Sequence, residues 1–123
     1  MSKIAVVDDD GSMRDALSAL VRSLGMAVAS YASADAFVAA HAWEDADCII
    51  TDVQMPGMSG IELLEFIRCR RLAVPVIVIT AYPSAALQAR VTAAGNAGFM
   101  GKPFDANAMV EQIEQLLEKP STA

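Results

Sequence analysis

Residues 4–25 read IAVVDDDGSMRDALSALVRSLG, and a change of period inside that stretch decides the fold. Residues 4–7 form a short apolar run rich in Val and Ile, the mark of a strand buried on both faces. Asp8, Asp9 and Asp10 interrupt it. Apolar residues then return at Met13, Ala16, Leu17, Leu20, Val21 and Leu24, the i, i+3, i+4, i+7 spacing of a helix lying on a core. Ser12 or Asp10 supplies the N-cap and Gly25 the stop. The stretch is one βα unit with an acidic turn.

The same alternation runs outward through the chain. Further apolar runs lie at 26–29, 48–51 and 74–79, with a weak one at 98–100. Between them, Ser33 caps a helix bearing Ala36, Phe37 and Ala40, and Ser59 caps one bearing Leu63, Leu64 and Ile67. Pro83 suits the first turn of an Ala-rich helix running to about Ala94 and stopped by Gly95. Asp105 caps the last helix, whose core side is Met109, Ile113, Leu116 and Leu117. Five βα units predict an α/β fold of three layers, a parallel sheet with helices on both faces. Right-handed crossovers place every strand's C-terminal end on one edge. Residues 1–118 read as this domain, and 119–123 as a polar tail or the start of a linker.

With 123 residues, 54% of them hydrophobic and 20% charged, the composition is globular and suits one domain. Nine Lys and Arg against 15 Asp and Glu leave a net charge of −6, which argues against a nucleic-acid surface. The acidity is concentrated: without Asp8, Asp9, Asp10 and Asp52, 11 acids face 9 bases. Of the two cysteines, Cys48 sits inside an apolar run as a small hydrophobe. Cys69 lies among Arg68, Arg70 and Arg71 near a helix end. Neither has zinc spacing, and two cysteines make no disulfide framework. No apolar stretch approaches the roughly 18 residues of a membrane span, and the N-terminus lacks the apolar core of a signal peptide. The chain therefore reads as cytoplasmic, with no membrane partner. His41 reads as a solvent-facing helix end, Trp43 as a packing residue, and Met55 and Met58 as gap fillers beside Asp52.

Function is written at the strand ends. The first strand ends in Asp8-Asp9, the third in Asp52, the fourth in Thr80, and the fifth just before Lys102. Asp9 and Asp52 are 43 residues apart, Asp52 and Thr80 are 28, and Thr80 and Lys102 are 22. Each step suits one or two βα units. Open α/β sheets bind ligands outside the strand C-termini, where strand order reverses. Polar residues surface at strand ends in any such fold, so Thr80 alone says little. Three carboxylates with one lysine say more. Two carboxylates about 4 Å apart repel by roughly 4 kcal/mol at an effective dielectric near 20. One lysine cannot balance three, so a hard divalent cation is expected. Mg2+ fits, because it binds through one or two carboxylates and accepts phosphate oxygens. Carboxylates, metal, hydroxyl and lysine together read as phosphoryl-transfer machinery.

The segments VVDDDGSMRDAL (6–17), IITDVQMPGMSGIELL (49–64), VIVITA (76–81) and AGFMGKPFD (97–105) resemble the receiver domain of two-component response regulators, and their wording resembles FixJ-like receivers. The resemblance covers nearly the whole chain. It implies the CheY-like, flavodoxin-like doubly wound fold, with five parallel strands in the order 2-1-3-4-5. It implies that Asp52 accepts a phosphoryl group from a histidine kinase or a histidine phosphotransfer protein. Asp9, Asp52 and the backbone carbonyl of Gln54 would hold Mg2+, or Mn2+ in its place, with Asp8 acting through water. Lys102 would pair with phosphoryl oxygens. Thr80 would donate its hydroxyl to one of them, and Phe99 would change rotamer as the switch. The fourth helix, fifth strand and fifth helix would form the readout face, through which a phosphorylation-dependent homodimer could form. Pro103 would follow a cis bond. Such a domain is not a turnover enzyme; it catalyses only its own phosphorylation and dephosphorylation.

Some positions depart from common family choices. Gln54 and Tyr82, two residues beyond Asp52 and Thr80, would flank the water path and set the autodephosphorylation rate, with the small Ala81 leaving room for the phosphoryl group. Gly98 stands where an acid is frequent. Two other classes compete. Asp8-Asp9-Asp10-Gly11-Ser12 also resembles the opening motif of a haloacid-dehalogenase-type phosphatase with Asp8 as nucleophile. That fold needs another acidic strand end after the lysine, however, and gives Asp52 no role. A non-phosphorylated interaction module would not need the complete set of acidic, hydroxyl and lysine positions.

Overall fold

The structure, a computed structural model, describes residues 2–70 and 73–118. Five strands alternate with five helices: β1 (Lys3–Val7), α1 (Gly11–Ser23), β2 (Ala27–Tyr31), α2 (Ala34–Ala39), β3 (Cys48–Asp52), α3 (Gly60–Cys69), β4 (Val76–Thr80), α4 (Ala85–Ala94), β5 (Ala97–Gly101) and α5 (Ala106–Glu118). A 3-10 turn at Ala42–Glu44, unforeseen from the pattern, joins α2 to β3. All strand pairs are parallel, in the order β2-β1-β3-β4-β5. The tail expected at 119–123 and Arg71 lie outside the described residues.

The period-2 geometry of the strands divides the core. Ala5, Val7, Ile49, Val76 and Val78 face Phe37 of α2, Ile61, Leu64 and Ile67 of α3 and Val91 of α4. Their sequence neighbours Ile4, Val6, Cys48, Ile50, Ile77 and Ile79 face Leu17 and Val21 of α1 and Met109 and Ile113 of α5. The central strands β3 and β4 are buried throughout, which is why their runs are almost unbroken in Val and Ile. The edge strands β2 and β5 are only half-buried, which is why β5 reads so weakly.

Several boundaries shift for local reasons. Asp10, not Ser12, caps α1, its carboxylate accepting the Ser12 N–H at 2.9 Å. Ala16 faces solvent, as do Ala36 and Ala40; α2 instead buries Ala34 beside Phe37. β2 begins one residue later than the run predicts and extends to Tyr31, while β4 starts only after Pro75. Pro83 is outside the first turn of α4: Ser84 takes the cap, accepting the Leu87 N–H at 3.1 Å. Ser59 forms a full capping box with Glu62. Trp43 packs edge-on to Phe66 and stacks with exposed His41. Gly98 has a packing reason: the Gln112 side chain fills the space a β-carbon there would occupy.

Candidate functional site

Parallel winding delivers the C-terminal ends of β1, β3, β4 and β5 to one edge, and the expected residues meet there. Carboxylate oxygens of Asp8, Asp9 and Asp52 all lie within 4.8 Å of one another. Asp8 and Asp52 are buried, whereas Asp9 is exposed. Lys102, just past β5, brings its Nζ to 3.1 Å from Asp8 Oδ2 and 3.3 Å from Asp52 Oδ2. Its placement comes from its own backbone, since the Lys102 N–H donates to the Thr80 carbonyl at 2.7 Å. The bond between Lys102 and Pro103 is cis.

Each acid is held from several directions. Asp8 Oδ1 accepts the Asp10 N–H at 2.9 Å, and Arg14 Nη1 donates to the Asp8 carbonyl at 2.7 Å. The turn that caps α1 thus also orients the first carboxylate. Asp52 Oδ1 accepts the Val53 N–H at 2.9 Å, which leaves Oδ2 facing the lysine. Burial pushes the Asp52 carboxyl above its ordinary range and Asp8 pushes it the same way, against the opposing pull of Lys102. For Lys102, burial alone would lower the ammonium pKa, but Asp8 and Asp52 together outweigh it and raise it. Asp8 and Asp52 therefore share one ammonium, and Asp9 adds a third carboxylate beside them. Hard oxygen donors with uncompensated negative charge are the donor set a divalent cation of the Mg2+ type takes.

Thr80 is fully buried at the end of β4. Its Oγ1 accepts the Tyr82 N–H at 3.0 Å and donates to Gln54 Oε1 at 2.8 Å. Gln54, Ala81 and Tyr82 are exposed around it, Tyr82 to 73%. Phe99 is half-buried against the α2-α3-α4 side of the sheet, paired in register with Val78. Met55 and Met58 pack on that same side.

Two supporting residues escaped the sequence reading. A β-carbon on Gly60 would strike the backbone carbonyl of Asp52, so only glycine lets α3 begin this close to the strand end. The Gly60 N–H donates to the Val53 carbonyl at 3.1 Å, which fixes that approach. Arg14 is the other; its place in the first turn after an Asp cap was its only signal. No helix among the described residues is long and apolar enough to cross a membrane.

The profile of the response regulator receiver domain matches residues 4–114. The transcriptional regulatory protein FixJ of Azorhizobium caulinodans is 40% identical over 114 residues, covering 93% of this chain and 54% of that protein. FixJ of Rhizobium meliloti is 33% identical over 94% of this chain and 56% of its own length. This chain thus spans about half the length of these curated relatives. Among solved structures, the crystal structure of FixJ-N superposes with a TM-score of 0.85 at 31% identity, covering 100% of this chain and 98% of that one. The chemotaxis protein CheY4 of Vibrio cholerae gives 0.84 at 27% identity, over 94% of this chain and 98% of that one.

Proposed function

This chain belongs to the response regulator receiver domain family, and from that premise we propose that it takes a phosphoryl group onto Asp52 and passes the change to one face of the fold. The observation that carries the proposal is the buried Asp52 carboxylate, fixed by the Val53 N–H and facing Lys102 beside Asp8 and Asp9. An oxygen of Asp52 attacks the phosphorus of a phosphohistidine on a kinase or phosphotransfer protein. The new O–P bond forms as the N–P bond breaks, and the histidine nitrogen leaves with the electron pair. Lys102 sits where it can meet the negative oxygens of the incoming group.

Asp9, Asp52 and the Gln54 backbone carbonyl would hold Mg2+, with Mn2+ as a substitute and Asp8 acting through water. The bound cation supplies charge neutralisation for the transferring oxygens. Afterwards the Thr80 hydroxyl turns to a phosphoryl oxygen, Phe99 follows, and α4, β5 and α5 present the changed surface, where a second copy could dock. Gln54 and Tyr82 flank the path of hydrolytic water and tune the lifetime of the phosphoryl group, while Ala81 leaves room for it. The chain acts on itself and does not turn over a separate substrate.

The experiment is phosphorylation with acetyl phosphate and Mg2+, followed by mapping of the modified residue. Modification at Asp52 supports the proposal. Modification at Asp8 points to the phosphatase reading, and a chain that takes no phosphoryl group points to an interaction module.

A further inference from the structure

The Thr80 hydroxyl has one proton, and in this structure that proton is taken. Its oxygen accepts the Tyr82 N–H at 3.0 Å and donates to Gln54 Oε1 at 2.8 Å. A hydroxyl offers a single donor, so Thr80 cannot serve Gln54 and a phosphoryl oxygen on Asp52 at once. Its backbone has no freedom to help: the Thr80 carbonyl accepts the Lys102 N–H at 2.7 Å, inside a fully buried strand. Only the side chain can change partners. We propose that Gln54 is a positioning residue that holds Thr80 in the resting arrangement by competing with the phosphoryl group for that proton. The proposal rests on Asp52 being the phospho-acceptor.

The strength of such a latch follows from its surroundings. Thr80 is fully buried, but Gln54 is exposed and water can replace its lost partner. Release therefore strands no buried acceptor, and the bond biases the equilibrium without locking it. One neutral hydrogen bond of this kind corresponds to roughly a fivefold bias, within the reach of a ligand that favours one of two states. This role is separate from any effect on hydrolytic water, because it alters an equilibrium even when nothing is hydrolysed.

The test uses beryllofluoride, a phosphoryl stand-in, titrated with Mg2+ while the Tyr82 amide is followed by NMR. Gln54→Met keeps the length of the side chain and removes the acceptor. It is expected to shift the free Tyr82 signal toward its beryllofluoride-bound position and to lower the half-saturating concentration roughly fivefold. In a Thr80→Val background, where no proton is contested, the same replacement is expected to change nothing. A midpoint for Gln54→Met within twofold of the parent overturns the latch, as does an equal shift in the Thr80→Val background. If the parent chain does not respond, or Asp52→Asn responds as the parent does, the acceptor reading itself fails and takes the latch with it.

Discussion

Replacing Lys102 by methionine keeps the length of the arm and removes the ammonium that faces two buried carboxylates. Its Nζ lies 3.1 Å from Asp8 and 3.3 Å from Asp52, with the side chain 16% exposed. At an effective dielectric near 20, each contact is a gross attraction of about 5 kcal/mol. The carboxylates left behind, with oxygens no more than 4.8 Å apart, repel by at least about 3.5 kcal/mol on the same scale. Desolvation already opposed the gross attraction, so the net loss should be near that for breaking a buried pair, about 3 kcal/mol in metal-free buffer at pH 7.5. With a urea slope of about 1.5 kcal/mol per molar, the midpoint falls by about 2 M. The loss depends on pH in a fixed direction. Asp52 is raised in the folded chain, chiefly by burial, so the native state holds that proton to higher pH than the unfolded state does. Its contribution is fully present below the unfolded value and is lost as pH rises through the folded one. Without Lys102 the folded value climbs further, so the deficit of Lys102→Met should shrink at pH 5. Millimolar Mg2+ should also stabilise the variant more than the parent, by mass action on the cation-starved acids. Urea melts at the two pH values, with and without Mg2+, measure all of this. A variant within 1 kcal/mol of the parent at pH 7.5, or one whose deficit is the same at pH 5, would refute the electrostatic account.

Gly60→Ala should cost about 2–3 kcal/mol, because the new methyl meets the Asp52 carbonyl. It should also weaken the stabilisation by Mg2+, which thermal melts with and without the ion can read. The Glu65–Arg90 bridge between α3 and α4 is bidentate, with Arg90 Nη2 donating to Oε1 at 2.8 Å and Nε to Oε2 at 3.3 Å, but half-exposed on both sides. Arg90→Ala should therefore cost less than about 1 kcal/mol, and 1 M salt should erase most of the difference; a loss above 2 kcal/mol would show the bridge to be more than a surface pair. Cys48 is buried, and burial pushes its thiol up to about 12, whereas Cys69 is exposed. A thiol-reactive dye at pH 8 should label only Cys69 in the native chain and both cysteines in denaturant, with rapid native labelling of Cys48 as the contrary result.

The locally written features were legible in the chain itself. Strands and helices announce themselves by period, so the βα alternation, the caps at Ser33, Ser59 and Asp105 and the polar strand ends could be read from neighbouring residues. Because every parallel strand must end on one edge, the meeting of Asp8, Asp9, Asp52, Thr80 and Lys102 followed from topology and needed no distance. Elements with little contrast were harder to read: β2 and β5 are half-buried edges, and the short 3-10 turn has no period of its own. What tertiary packing alone decided was how each group is held. The capture of the Thr80 proton by Gln54 and the sharing of Lys102 between two acids join residues far apart in the chain, and the glycine required at position 60 is set by how closely α3 packs on the Asp52 carbonyl. Such contacts leave no periodic trace in sequence, because they depend on separations of a few ångströms that only the packed sheet fixes.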